Sequence, residues 1–135
     1  MLLDKQNQFS DAQEVLATAA STNIVEISTG VLKEISFGQP IPLLVQVVED
    51  FAGATSVKAA VQTSETKDFA SPVTLIETSA IPVANLKAGY KFPINFVPKG
   101  NKGYMRMNYT VVGTGTAGKI TAGIITAHDN SYQDM

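Results

Sequence analysis

The sequence predicts an all-β protein: a jelly-roll-like antiparallel β-sandwich of about eight strands with an extended N-terminal segment. Three observations predict it. Met105, Met107, Tyr109 and Val111 alternate with Arg106, Asn108, Thr110 and Val112, the two-residue period of a pleated strand with one face toward a core. Gly, Pro and short polar clusters interrupt the apolar runs roughly every 10–15 residues, a spacing of sandwich strands rather than βαβ units. Composition agrees: 16% charged residues and no Trp, with plentiful Thr, Ser and Gly, suit a packed sheet protein better than a disordered or helical chain.

The totals also bound function. A chain of 135 residues is expected to form one domain, 1–135, with a core that needs neither disulfide nor metal. Zero Cys excludes a disulfide framework, a thiolate metal site and a Cys nucleophile together. A net charge of −2 argues against gripping nucleic acid, which takes a basic patch. No stretch reaches the ~18 apolar residues of a membrane span. The opening residues turn polar too early for a signal peptide, so a soluble chain without anchor or cleavage is expected.

Taken in order, residues 1–22 are the N-terminal arm or first strand. Ser10-Asp11-Ala12-Gln13 resembles a capping box, with Ala12, Val15, Leu16, Ala19 and Ala20 at helical spacing. The same residues alternate as a strand does, and the pattern leaves helix and strand both open. Asn23–Ser28 is β-branched and reads as a strand, and Gly30–Phe37 as a loop or edge segment. After the Pro-punctuated Gly38–Pro42, Leu43–Val48 is apolar on both faces and is expected in the middle of a sheet, ended by Glu49–Gly53. Val57, Ala59, Val61 and Thr63 mark a half-buried strand, Glu65–Pro72 a polar connection, Val73–Ala80 a short strand and Pro82–Gly89 a loop. Tyr90, Phe92, Ile94 and Phe96 share one face of a strand that Pro93 confines to an edge or bulge. Pro98–Gly103 is a turn. Gly103–Ala127 then reads as two strands joined by a tight turn at Gly113–Gly118, since glycine tolerates the positive φ of a reversal. The tail, 128–135, is polar.

Chemistry-bearing motifs are sparse. Gly113-Thr-Gly-Thr-Ala-Gly118 has G-x-G-x-x-G spacing, but a strand follows where a dinucleotide loop must open a helix, so it reads as structural. His128 is the one histidine and sits beside Asp129 in the tail, whereas a metal centre or a Ser-His-Asp triad needs convergent partners. Glu49 with Asp50, and Glu65 with Asp68, are the nearest approaches to paired carboxylates. They read as solvated loop charge, with a calcium cluster as the alternative, because sugar-stacking aromatics around them are missing. Lys99, Lys102 and Arg106 make a small basic spot, either a solvated turn or a rim contact to an acidic partner. The Asn108-Tyr109-Thr110 sequon reads as chance. No catalytic residue, cofactor site or metal site is expected. Leu2, Leu3 and Phe9 are apolar in an otherwise polar terminal segment; they either serve as an interface or dock into the protein's own sandwich.

Several longer stretches carry a resemblance. They are Met1-Leu-Leu-Asp-Lys-Gln-Asn-Gln-Phe-Ser-Asp-Ala-Gln13 continuing to Ser21-Thr-Asn-Ile-Val25, Phe37-Gly-Gln-Pro-Ile-Pro-Leu-Leu-Val45, Tyr104-Met-Arg-Met-Asn-Tyr109 and Gly118-Lys-Ile-Thr-Ala-Gly-Ile124. Together they resemble the capsid cement (decoration or staple) proteins of short-tailed double-stranded DNA phages, over nearly the whole chain. The resemblance implies a jelly-roll sandwich on the outer surface of an icosahedral shell, made in the host cytoplasm and tying neighbouring major capsid proteins together. It also implies a homodimer, an extended conformation for segment 13–22, and no enzyme activity. A carbohydrate- or receptor-binding jelly-roll module is the rival expectation; it would show exposed aromatic platforms and calcium ligands.

Overall fold

The computed structural model describes residues 3–26, 42–97 and 102–125. Seven strands run in chain order: β1 (Leu3–Glu14), β2 (Ala19–Ala20), β3 (Val25–Glu26), β4 (Leu43–Ser64), β5 (Val73–Glu77), β6 (Ile81–Pro82) and β7 (Tyr104–Ile125). A single 3₁₀ turn, Val83–Asn85, is the only helical element among the described residues. All named strand pairings are antiparallel, and they join the strands into one sheet with the path β1-β7-β4-β5; β2 and β3 add to β7, and β6 to β4.

β4 and β7, each 22 residues long, pair along their lengths and bend together. Tyr109 lies opposite Ala59, and Ser10 lies opposite Ala122. Tyr109 and Ala122 would be about 43 Å apart along a straight strand. Yet the Ser10 and Tyr109 hydroxyls are 2.8 Å apart across the core. The sheet therefore folds back on itself as an antiparallel sandwich. One layer holds β1, the second half of β7, the first half of β4 and residues 89–96. The last of these join β4 through Leu43 N–H to Asn95 O, Val47 N–H to Tyr90 O, and Phe92 N–H to Val45 O, at 2.8–2.9 Å. The other layer holds β2 and β3, the first half of β7, the second half of β4, and β5 with β6. The about eight expected strands are thus present as rows, with two strands serving both layers.

This overturns two expected strand ends. Glu49–Gly53 does not terminate the strand begun at Leu43, and Gly113–Gly118 is not the turn of a hairpin, because the halves of β7 pair with β4 rather than with each other. The pairing survives the bend through successive register shifts. Ala52 faces Ala117 and Ala54 faces Gly113, so three residues of β7 oppose Gly53 alone. Such bulges add twist and curvature to a strand without ending it. Phe51 turns into the core at the bend, and a Cβ on Gly118 would come within 2.5 Å of its ring. Glycine there is a packing requirement.

The alternating residues line the core as their period predicts. Met105, Met107 and Tyr109 of β7, Val57, Ala59 and Val61 of β4, and Ile120 and Ala122 are fully buried in one cluster with Leu43, Val45 and Val47. The helix reading of residues 10–20 is not realised: β1 runs through Glu14, and Ser10 Oγ donates to Gln13 Oε1 at 2.7 Å within the strand. A helix there would leave the edge of β7 without a partner, whereas β1 pairs with it from Leu3 to Glu14. Gly30–Phe37 and the tail 128–135 lie outside the described residues.

Candidate interaction surface

Phe9 is wholly enclosed in the core, on the strand that pairs with β7. That placement takes it out of the set of adhesive residues, since reaching it means opening the sandwich; burying such a ring contributes about 1.5–3 kcal/mol. Leu3 opens β1 opposite Ile125, and Leu2 lies outside the described residues. β1 is held on its outer side as well. Asn23 donates from its backbone to Phe9 O at 3.0 Å and from Nδ2 to Gln8 O at 2.8 Å, and Gln13 Nε2 donates to Ala20 O at 3.0 Å. The N-terminal segment is therefore an integral strand of the sandwich.

The carboxylates singled out in sequence are separated by their partners. Glu49 reaches Lys119 at 3.4 Å, across the β4–β7 pair. Asp50 accepts the Ala88 N–H at 2.7 Å and faces Lys87 at 4.0 Å. Asp68 accepts the Thr66 hydroxyl at 2.6 Å and the Ala70 N–H at 3.2 Å. These bonds, the hydroxyl's first, hold the Asp68 carboxyl below its usual range. It closes a local turn rather than facing Glu65 across a cleft. Among the described residues no group of three or more His, Asp or Glu is arranged to hold a metal. His128, Asp129 and Lys99 lie outside the described residues.

What the structure does assemble is a rim of exposed apolar side chains on the strand edges and the bend: Val73 and Ile76 on β5, Phe96 beside β4, and Val48 and Val112 near the bend. At one end of the sandwich the 65–72 connection folds back over the sheet. Phe69 is buried there with φ +53°, and the Arg106 guanidinium sits 4.3 Å over its ring while Nε donates to Gln62 at 3.0 Å. Partial burial lowers the Arg106 pKa, and the ring face offsets part of that desolvation. Beside this cover lies a cleft of about 350 Å³ lined by Ser64, Glu65, Thr66, Ser71, Val73 and Lys102. Lys102 and Arg106 were expected as part of a basic spot and Val73–Ala80 as a short strand, whereas Phe69 was not expected as a cover. A lone aromatic in an otherwise polar connection is the signal that could have found the cover.

The family model for Bbp16 matches residues 9–124 of this chain, from Phe9 in β1 through all but the last residue of β7. No curated protein matches it.

Proposed function

The chain belongs to the Bbp16 family, and we propose that this member is a capsid cement protein of a short-tailed double-stranded DNA bacteriophage. On this reading it is a homodimer on the outer surface of an icosahedral shell, binds neighbouring major capsid proteins and stabilises their contacts, and carries no catalytic activity. The observation that carries the reading is the distribution of apolar side chains. Val48, Val73, Ile76, Phe96 and Val112 stand on the edges and bend of a sandwich whose own core is already filled. Apolar side chains set along edges, rather than around one enclosed pocket, suit contact with a broad surface better than capture of a small molecule. The resemblance of Tyr104–Tyr109 and Gly118–Ile124 to phage cement proteins supports the same role, and those residues form both halves of the long strand that builds the two layers.

The mechanism is thermodynamic. A protein that binds the expanded lattice and not its precursor stabilises the expanded form by RT ln(1 + [L]/Kd), about 2.7 kcal/mol per site at a hundredfold excess over Kd. Many symmetric copies multiply that effect by avidity. A fold that keeps its shape is what such a role requires, and strands continuous across both layers supply it. The carbohydrate-binding alternative has weaker support: Tyr90 and Tyr104 are half-buried, and Phe96 is the one large exposed aromatic among the described residues.

The test is cosedimentation of the purified protein with expanded shells lacking it, followed by heating. Saturable binding and a raised disruption temperature are expected; a folded protein that does not bind removes the proposal.

A further inference from the structure

The outer rows of the sandwich differ in how they are protected. β1 has its Gln8 and Phe9 carbonyls engaged by Asn23. The row at 89–96 carries Lys91 and Pro93, residue types that discourage edge pairing. β5 has no Lys or Pro within it; it is five residues long, ends in Glu77 and carries a bulge at Leu75. Among the described residues it pairs with β4 alone, and it exposes Val73 at 40% and Ile76 at 39%. A register shift between the Val61 and Gln62 pairs leaves Leu75 without an opposite residue, and Leu75 packs against the core.

Charge completes the picture at the Val73 end. Lys102 lines the cleft there, next to Ser64, Thr66 and Ser71. Among the described residues, Lys67, Lys102 and Arg106 have no carboxylate within salt-bridge distance. Asp68 is engaged by its own turn, which leaves Glu65 as the opposing charge at the cleft. Lys102 thus stands beside the Val73 end of an outer strand that exposes apolar side chains.

We propose that β5 receives an extended segment of another protein by strand addition, and that this segment places an acidic side chain beside Val73, in the cleft of Lys102. Backbone hydrogen bonds along β5 supply the affinity, Val73 and Ile76 pack against the incoming strand, and Lys102 selects the acidic end. That the segment belongs to a shell protein rests on the reading above; the acidic-strand preference does not.

The test is hydrogen exchange of the full chain with synthetic peptides of alternating Thr and Val, carrying two Glu or two Lys at either end. An acidic peptide is expected to slow amide exchange over Val73–Glu77 by about tenfold, with a basic peptide nearly without effect. K102E should abolish the difference and E65Q enlarge it. V73K/I76K, at exposed positions, should lose protection by either peptide; circular dichroism checks its fold, and if it unfolds K102E and E65Q carry the test. Equal protection by acidic and basic peptides, or none by any, overturns the proposal. So does protection of β5 that rises with protein concentration alone, which would assign the edge to a second copy. Cosedimentation of V73K/I76K with expanded shells separates the two readings: undiminished binding leaves the cement role standing and removes the shell protein as the occupant of β5.

Discussion

Replacing Gly53 by alanine tests whether the bend of β4 and β7 is as closely packed as the register implies. A Cβ at Gly53 would meet Thr114 O and Thr116 N at 2.8 Å, and its φ is +84°. Two penalties therefore combine, and two other glycines separate them. Gly89 has φ +97° with nothing within 4 Å of a Cβ, so G89A carries the backbone penalty alone, about 1–2 kcal/mol. Gly115 is not among the positive-φ residues, but its Cβ would lie 2.9 Å from Leu16 O, so G115A carries the steric penalty alone, about 1–3 kcal/mol. G53A should cost roughly the sum, about 2–5 kcal/mol, because its clash is with backbone that cannot swing away. Equilibrium urea unfolding reads the three values directly, and each kcal/mol should also lower Tm by about 3–5 °C. The expected order is G53A well below the other two. A G53A protein no less stable than G89A would refute the packed bend.

Other perturbations address the core, the cover and the buried hydroxyl pair. Phe9→Ala should lower stability by about 3–5 kcal/mol in the same unfolding assay, since it empties a fully enclosed site. Arg106→Ala should cost about 0.5–1 kcal/mol and loosen the 65–72 connection, detectable as faster proteolysis there, by removing the guanidinium from the Phe69 ring. Burial raises the Tyr109 phenol well above the ordinary tyrosine range, against the smaller opposing effect of the Ser10 hydrogen bond. As pH rises past about 10 the unfolded chain loses this proton while the folded one keeps it, so folding stability should fall there. Tyr109→Phe should flatten that part of the alkaline decline relative to the parent, at a cost of about 1–2 kcal/mol near neutrality from the lost bond to Ser10. Equal alkaline slopes for the two proteins would contradict the burial of the phenol.

Much of the fold was legible because strand faces follow from a period of two. Met105, Met107 and Tyr109 were assigned to the core by alternation, and so were Val57, Ala59 and Val61; all are fully buried. Pro93 correctly marked an edge row, joined to β4 through the bridges Gln46–Lys91 and Pro42–Phe96. The candidate surface was less legible. Nothing local distinguishes Val73-Thr-Leu-Ile-Glu77 from an interior strand, because being an edge depends on which rows stand beside it. Phe9 shows the converse limit: an apolar residue in a polar segment fits an interface or a core equally well until its neighbours are known.

Residue order by itself determined the all-β character, the inward faces of the strands and the places where the chain must change direction, since these follow from side-chain alternation and from the φ freedom of glycine. Tertiary structure alone decided what each change of direction becomes. Gly113–Gly118 could close a hairpin or bend a continuous strand, and the residues of β7 permit both. The outcome was set by β4, which carries its own glycine and bulges opposite and pairs with β7 before and after the bend, from Leu43 with Ile124 to Ser64 with Tyr104. Those partners lie 40 to 81 residues apart in the chain. Pairing at that range is a property of the whole fold, because its closure cost and its gain in buried area are shared among all the strands it brings together.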